Sequence, residues 1–171
     1  MPIRFKDPKF CISHARLLEL VEYHPETGQF TWRVQRDGRS GYAKPGDVLK
    51  GKVQKLGYLN ISVGKGYTAA RLVWFYVHGA WPDGEVDHIN CDKLDNRIAN
   101  LRIAPNRSLQ CGNQRARSTN VAGLKGVRQM GKRWQARIVG DSLGWFATPE
   151  EASAAYLRAA RERFGEYARS G

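Results

Sequence analysis

The chain has 171 residues, enough for one domain with a substantial core or for two small ones. Its formal net charge is +12, with 28 Lys and Arg against 16 Asp and Glu, and that surplus points to a polyanionic partner. No apolar run approaches the ~18 residues of a membrane span, and the opening MPIRFKDPKF has no apolar h-region, so neither a membrane protein nor a signal peptide is expected.

Ala15 to Tyr23 carries Leu17, Leu18, Leu20 and Val21 at helical spacing, which predicts a short helix. PETG then reads as a turn, and QFTWRV alternates like a strand. The Gly- and Lys-rich stretch from Arg36 to Lys55 reads as loops or exposed hairpins. GYLNIS predicts a strand, followed by a Gly64-Lys65-Gly66 turn. The apolar segment Ala69 to His78 is ambiguous by pattern, long enough for a helix, and Gly79, Pro82 and Gly84 end it. Strands are expected at Glu85–His88 and Asn100–Ala104, then a helix from about Asn106 to Arg115.

Three cysteines, Cys11, Cys91 and Cys111, are widely spaced and form no CxxC pair, so free thiols in a reducing cytoplasm are expected rather than a zinc knuckle. His14, His24 and His78 stand alone and read as surface or packing histidines.

The stretch VDHINCDKLDNRIANL, Val86 to Leu101, is where chemistry concentrates. Asp87 is a hard oxygen ligand, and His88 beside it titrates near neutral pH. A cation and a general base set together are what phosphodiester hydrolysis requires. Such Asp- and Asn-rich runs are more often turns that satisfy their own backbone. The strand-like or buried segments on both sides raise the catalytic reading above that one.

RLVWFYVHGAWPDGEVDHINCDKLDNRIANLRIA resembles the core of the HNH endonucleases of phages and mobile introns, and YHPETGQFTWRV resembles that family's opening hairpin. The resemblance implies an α+β fold with a ββα-metal core over about 84–114, inside a nuclease domain spanning 1–114. It implies that His88 is the general base, that Asp87 binds the metal and that Asn100 holds the loop. The cofactor implied is a divalent cation, Mg²⁺ with Mn²⁺ as the alternative. The chain departs from the family at Ala70, where a His is common, and at the last ligand. An ungapped count puts Leu109 there, and Leu cannot bind a metal. A count with one residue inserted near Pro105 makes Asn106 the helix cap, Gln110 the ligand and Asn113 a further polar position. The second count is preferred because Asn106-Arg107-Ser108 suits a cap.

From Asn96 to Gly140 there is no acidic residue, against ten basic ones, and that one-signed run points to phosphate contact. Residues 115–122, polar and basic without periodicity, read as a linker. Beyond it, LKGVRQ, RWQARIV and LGWFA predict three short strands. Thr148-Pro149-Glu150-Glu151 then starts a helix whose Ala152, Ala155, Tyr156, Ala159 and Ala160 recur at helical spacing. Gly126-Val127-Arg128, Trp134 to Ile138, Leu143-Gly144, Phe146 and the Ala-rich helix resemble DNA-binding domains of the apetala or ethylene-response type. That implies a domain over 123–171, a three-stranded antiparallel sheet packed on one helix, with the sheet entering the major groove.

These readings lead to a metal-dependent endonuclease of double-stranded DNA, monomeric, with no membrane and no small-molecule substrate as partner. The expected DNA contacts are Arg97, Arg102, Arg115, Arg117, Lys125, Arg128, Arg133, Trp134 and Arg137. Core packing is an equal reading for Trp134. The alternative function is an HNH-derived DNA-binding protein or regulator with weakened or lost catalysis.

Overall fold

Contacts divide the chain into two compact units, residues 1–103 and 104–171, and a computed structural model describes residues 11–37, 42–104, 112, 120 and 122–168. It is a mixture of short antiparallel sheets and helices, as an α+β chain requires.

The first unit opens with helix α1 (His14–Leu20), capped by the Ser13 hydroxyl, which accepts from the Arg16 amide at 3.2 Å. The helix expected to reach Tyr23 stops at Leu20. Val21, Glu22, Tyr23 and His24 alternate buried and outward and are taken by strand β1 (Val21–His24). β1 pairs antiparallel with β2 (Gln29–Trp32), with Val21 opposite Trp32 and His24 opposite Gln29 across the PETG turn.

A three-stranded antiparallel sheet follows, built from β3 (Gly51–Val53), β4 (Leu59–Val63) and β5 (Lys65–Thr68). The turn expected at Gly64-Lys65-Gly66 is confined to Gly64, because Lys65 and Gly66 already pair with Val63 and Ser62. Helix α2 (Ala69–His78) buries Ala69, Ala70, Leu72, Val73 and Phe75, and Gly79 ends it in the left-handed region. Together with Leu17, Val21, Phe30, Trp32, Ile61, Val63 and Tyr67 this face makes the core of the unit. Arg71, on the same helix, donates to the carbonyls of Gly84 at 3.0 Å and Pro82 at 3.1 Å. It thereby fixes the turn that delivers β6 (Glu85–His88), which pairs with β7 (Leu101–Ala104). The second strand starts one residue later than expected because Asn100 closes a 3₁₀ turn over Ile98–Asn100.

In the second unit β8 (Val127–Met130), β9 (Arg133–Ile138) and β10 (Asp141–Phe146) form an antiparallel sheet in the order β10-β9-β8. Helix α3 (Pro149–Phe164) has a full capping box: Thr148 Oγ1 accepts from the Glu151 amide, and the Glu151 carboxylate accepts from the Thr148 amide. Its Ala152, Ala155, Tyr156 and Ala160 are buried against Val127, Ala136 and Ile138 of the sheet. Gly126 (φ +71°) lies so close that a Cβ there would fall 2.2 Å from the Tyr156 ring. The linker expected over 115–122 lies outside the described residues except for Asn120 and Ala122, as does the helix expected from Asn106 to Arg115 except for Gly112.

Gly28 ties the β1–β2 turn to the loop that follows β6. Its φ is +71°, and a Cβ would fall 2.6 Å from both the Asn96 carbonyl carbon and the Arg97 amide nitrogen. Gly28→Ala is therefore expected to destabilise the protein by about 2 kcal/mol or more, from backbone strain plus the clash. Urea denaturation checks this, and a midpoint equal to that of the native chain would contradict it.

Candidate active site

Among the described residues of the first unit, four polar side chains are buried: Asp87, His88, Asn96 and Asn100. All four belong to β6, the loop after it and the turn before β7. The strand places Asp87 and His88, and the loop from Ile89 to Asn100 folds back over them.

That loop is held from within. Asn100 Oδ1 accepts from the Asn90 amide at 3.0 Å, while its Nδ2 donates to Asn90 Oδ1 at 3.0 Å and to the Asp95 carbonyl at 2.8 Å. The Ile89 amide adds a bond to the Asn100 carbonyl at 2.9 Å. Asn90 Nδ2 donates to Asp95, and Arg97 donates to both oxygens of the same carboxylate, at 2.8 and 2.7 Å. The Arg97 guanidinium holds the Asp95 carboxyl down to about 2. Cys91 sits at φ +61°, a strained position for a side-chain-bearing residue, and its amide donates to the His88 carbonyl at 2.9 Å.

The loop is also held from outside. The Tyr23 hydroxyl donates to the Asn96 carbonyl at 3.0 Å and accepts from the Ile98 amide at 2.8 Å. With Gly28 pressed against the same backbone, the opening hairpin acts as the back wall of the site.

Asn96 was not among the residues expected from sequence, and it touches the His88 ring. His88 Nε2 lies 3.2 Å from Asn96 Oδ1, and Asn96 Nδ2 donates to the Leu94 carbonyl at 3.0 Å. The second bond orients the amide so that an oxygen faces the imidazole. An amide oxygen can only accept, so Nε2 carries the proton of the neutral ring and the lone pair is on Nδ1. Burial pushes the His88 pKa below its ordinary 6.5, although the Asn96 bond and the carboxylates of Asp87, Asp92 and Asp95 oppose that shift. The ring lies 6.0 Å from that of Tyr58, whose own pKa is raised by burial and by Asp87.

Asp87 Oδ2 accepts from Arg102 Nε at 3.1 Å, a pair with side chains only 8% and 18% exposed. Among the described residues no three His, Cys, Asp or Glu side chains cluster as a ready-made metal cage. A single buried carboxylate nevertheless suits a small hard cation, which keeps several waters and takes further oxygens from substrate phosphate. Leu109 and Gln110, the two candidates for the last ligand, lie outside the described residues, as does Asn113. Ala70 is buried in the core side of α2.

The expected DNA contacts are sorted by the structure. Arg97 and Arg102 are ion-paired, with Asp95 and Asp87 respectively. Arg115 and Arg117 lie outside the described residues. Lys125 is turned into its own unit, donating to the Gly112 carbonyl with its ammonium 6.0 Å from the centre of the Tyr156 ring. In the sheet, Arg128, Gln135 and Trp145 are cross-strand neighbours, and Arg133 and Arg137 flank Gln135 at period two. They share the face away from α3. Trp134 is on the other face, packed with Val127, Ala136 and Phe146, so the packing alternative describes it and Trp145, 45% exposed, is the outward tryptophan.

Residues 67–110 match the family model described as HNH endonuclease. The matched stretch runs from β5 through α2, β6, the site loop and β7. It supports a nuclease of the HNH type acting on DNA. No curated protein and no solved structure gave a significant match to the chain.

Two outcomes follow from the His88 environment. The folded protein binds a proton at His88 less readily than the unfolded chain, so its contribution to stability is complete above about 6.5 and is lost as pH falls from there through the folded pKa. Thermal midpoints should drop between pH 7.5 and 5.5, and drop less in His88→Gln; parallel curves would contradict this. Asn96→Asp places a carboxylate on Nε2 and should raise the His88 pKa, which NMR titration of the ring reads directly. An unmoved titration would show that Asn96 does not face the His88 ring.

Proposed function

We propose that the chain is a metal-dependent HNH endonuclease that hydrolyses phosphodiester bonds of double-stranded DNA, with its C-terminal unit as a DNA anchor. The observation that carries this reading is the buried Asp87-His88 pair, with burial favouring the neutral imidazole and Asn96 fixing its tautomer. The match over residues 67–110 supports the reaction class.

His88 Nδ1 takes a proton from water as the water oxygen attacks phosphorus. The P–O bond to the leaving 3′ oxygen breaks, leaving a 5′ phosphate and, once that oxygen is protonated, a 3′ hydroxyl. Asn96 keeps the ring from rotating and supports the imidazolium that forms. Asp87, joined on the preferred count by Gln110, would hold a divalent cation, Mg²⁺ or Mn²⁺. When bound, that cation supplies charge stabilisation for the pentacoordinate phosphorus and the leaving oxygen. Arg102, at Asp87, holds the phosphate, and Asn100 preserves the loop geometry on which His88 depends.

Anchoring is assigned to the face of the second unit that carries Arg128, Arg133, Arg137 and Trp145. Among the described residues none of these arginines is in an ion pair with a carboxylate, and the side opposite is covered by α3. The major groove of B-DNA admits a two-stranded antiparallel ribbon, and β8–β9 of this sheet would supply one. Arg115 and Arg117 are assigned to the same electrostatic footprint.

A supercoiled-plasmid assay tests the reading. With Mg²⁺ or Mn²⁺ the native chain should nick or linearise the plasmid, and excess EDTA should stop it. His88→Ala should reduce the rate by a factor on the order of 10³ or more while leaving DNA affinity within about twofold, because the base acts only in the chemical step. Cleavage that persists in EDTA would rule the mechanism out. DNA binding without cleavage under any divalent metal would favour the alternative, a DNA-binding protein of HNH ancestry.

A further inference from the structure

The endonuclease reading leaves one surface of the first unit unused. Between Asp47 and Asp83 the chain has no acidic residue, yet it carries Lys50, Lys52, Lys55, Lys65 and Arg71. Arg71 is turned inward on the carbonyls of Pro82 and Gly84. Lys50, Lys52 and Lys55 fall on the β3–β4 hairpin, and all three are exposed.

Strand alternation sets the direction of this hairpin. Ile61, on β4, is buried and lies between Gly51 and Tyr67. One residue on, the row Lys52, Asn60, Thr68 belongs to the opposite face, with Ser62 beside it. Among the described residues, the row on that face is polar and positive, with no carboxylate in it. Among the described residues no ion pair involves Lys50, Lys52 or Lys55.

The hairpin is coupled to the catalytic loop. Its tip, Gln54 to Tyr58, is closed by backbone bonds between Gln54 and Tyr58 and between Gly57 and Gln54. Lys93, from the loop after His88, donates to the Leu56 carbonyl at 2.7 Å and places its ammonium 4.6 Å from the centre of the Tyr58 ring. The same ring lies 6.0 Å from that of His88. The lysines are therefore on an element that shares two direct contacts with the site. Leu56 at the tip is 72% exposed, an apolar side chain raised among cations. An apolar residue at the end of a basic ribbon is suited to a groove floor, where sugar and base edges replace water around it.

We propose that the β3–β4 hairpin is a duplex-DNA contact of the nuclease unit, with Lys50, Lys52 and Lys55 on backbone phosphates beside the scissile one and Leu56 in the groove. This rests on the endonuclease reading for its geometry, and its occupant is chosen by charge: a continuous polyanion fits a hairpin with three exposed lysines and no acidic residue of its own. In this arrangement the hairpin delivers the phosphate to His88 through the Lys93 and Tyr58 contacts, so affinity and positioning are linked.

The test is the salt dependence of binding by the full chain, read by fluorescence anisotropy on a labelled duplex of about 20 base pairs in EDTA, where each lost phosphate contact lowers the log–log slope by about 0.9. The Lys50→Gln, Lys52→Gln, Lys55→Gln triple variant should lose about two to three units of slope and bind roughly tenfold more weakly or worse at 0.1 M salt. The corresponding triple Lys→Arg variant should keep the native slope. Circular dichroism checks folding, and Lys52→Gln alone, expected to lose about one unit, serves if the triple variant does not fold. Unchanged slope and affinity in the Gln variants would overturn the proposal, and plasmid cleavage by the native chain would then still stand. A lost slope in a chain that cleaves nothing would keep the hairpin as a DNA contact while the nuclease reading fails. Lost affinity for anionic phospholipid vesicles with an unchanged DNA slope would also overturn it, moving this face to a membrane surface.

Discussion

A buried imidazole that is to act as a base must be kept neutral, fixed in one tautomer and stopped from turning. Burial meets the first need at His88 and the Asn96 amide meets the other two, and most of the first unit is arranged around keeping that amide in place. Its own Nδ2 is anchored on the Leu94 carbonyl, its carbonyl on the Tyr23 hydroxyl, and its backbone rests on Gly28. Asn100 closes the loop a few residues later with three side-chain bonds. Each bond is individually worth about 1 kcal/mol. Their common effect is that the loop has one conformation, and a positive-φ Cys91 can be held in it.

The same constraint explains why the opening hairpin is part of the site and not a separate decoration. Tyr23 alternates with Val21 on the buried face of β1, so the strand that fills the core also points a hydroxyl at the loop. Arg71 repeats this economy on α2: the helix buries its apolar face, while the guanidinium grips the turn that leads into β6. Packing in the core and placement of His88 are thus consequences of the same elements. The Asp87–Arg102 pair has a different logic. Two largely buried opposite charges compensate each other's lost hydration.

Much of this arrangement is legible in the amino-acid sequence. The turn residues of PETG, the length of Ala69–His78 and the cap at Thr148 are local signals, and local signals survive folding. The Asp87-His88 pair and the loop-closing Asn100 can be placed because strands flank them. What cannot be read depends on partners distant in sequence. Leu20 and Val21 look alike to a helical count, and only pairing with Trp32 makes Val21 a strand residue. Asn96, in a Leu-Asp-Asn run, has the composition of a turn; its role depends on where His88 lies across the loop. Trp134 and Trp145 both sit in alternating strands, and alternation gives a period without saying which phase faces the helix. The cross-strand register, with Trp134 opposite Phe146 and Gln135 opposite Trp145, decides it.

The most direct measurement of the central claim is the tautomer and charge of His88 in the folded protein, read from ¹⁵N and ¹H correlation spectra of the ring at pH 7. The account predicts a neutral imidazole protonated at Nε2, with a titration midpoint below the ordinary histidine value. A ring protonated at Nδ1 alone, or one still doubly protonated at pH 7, would contradict it.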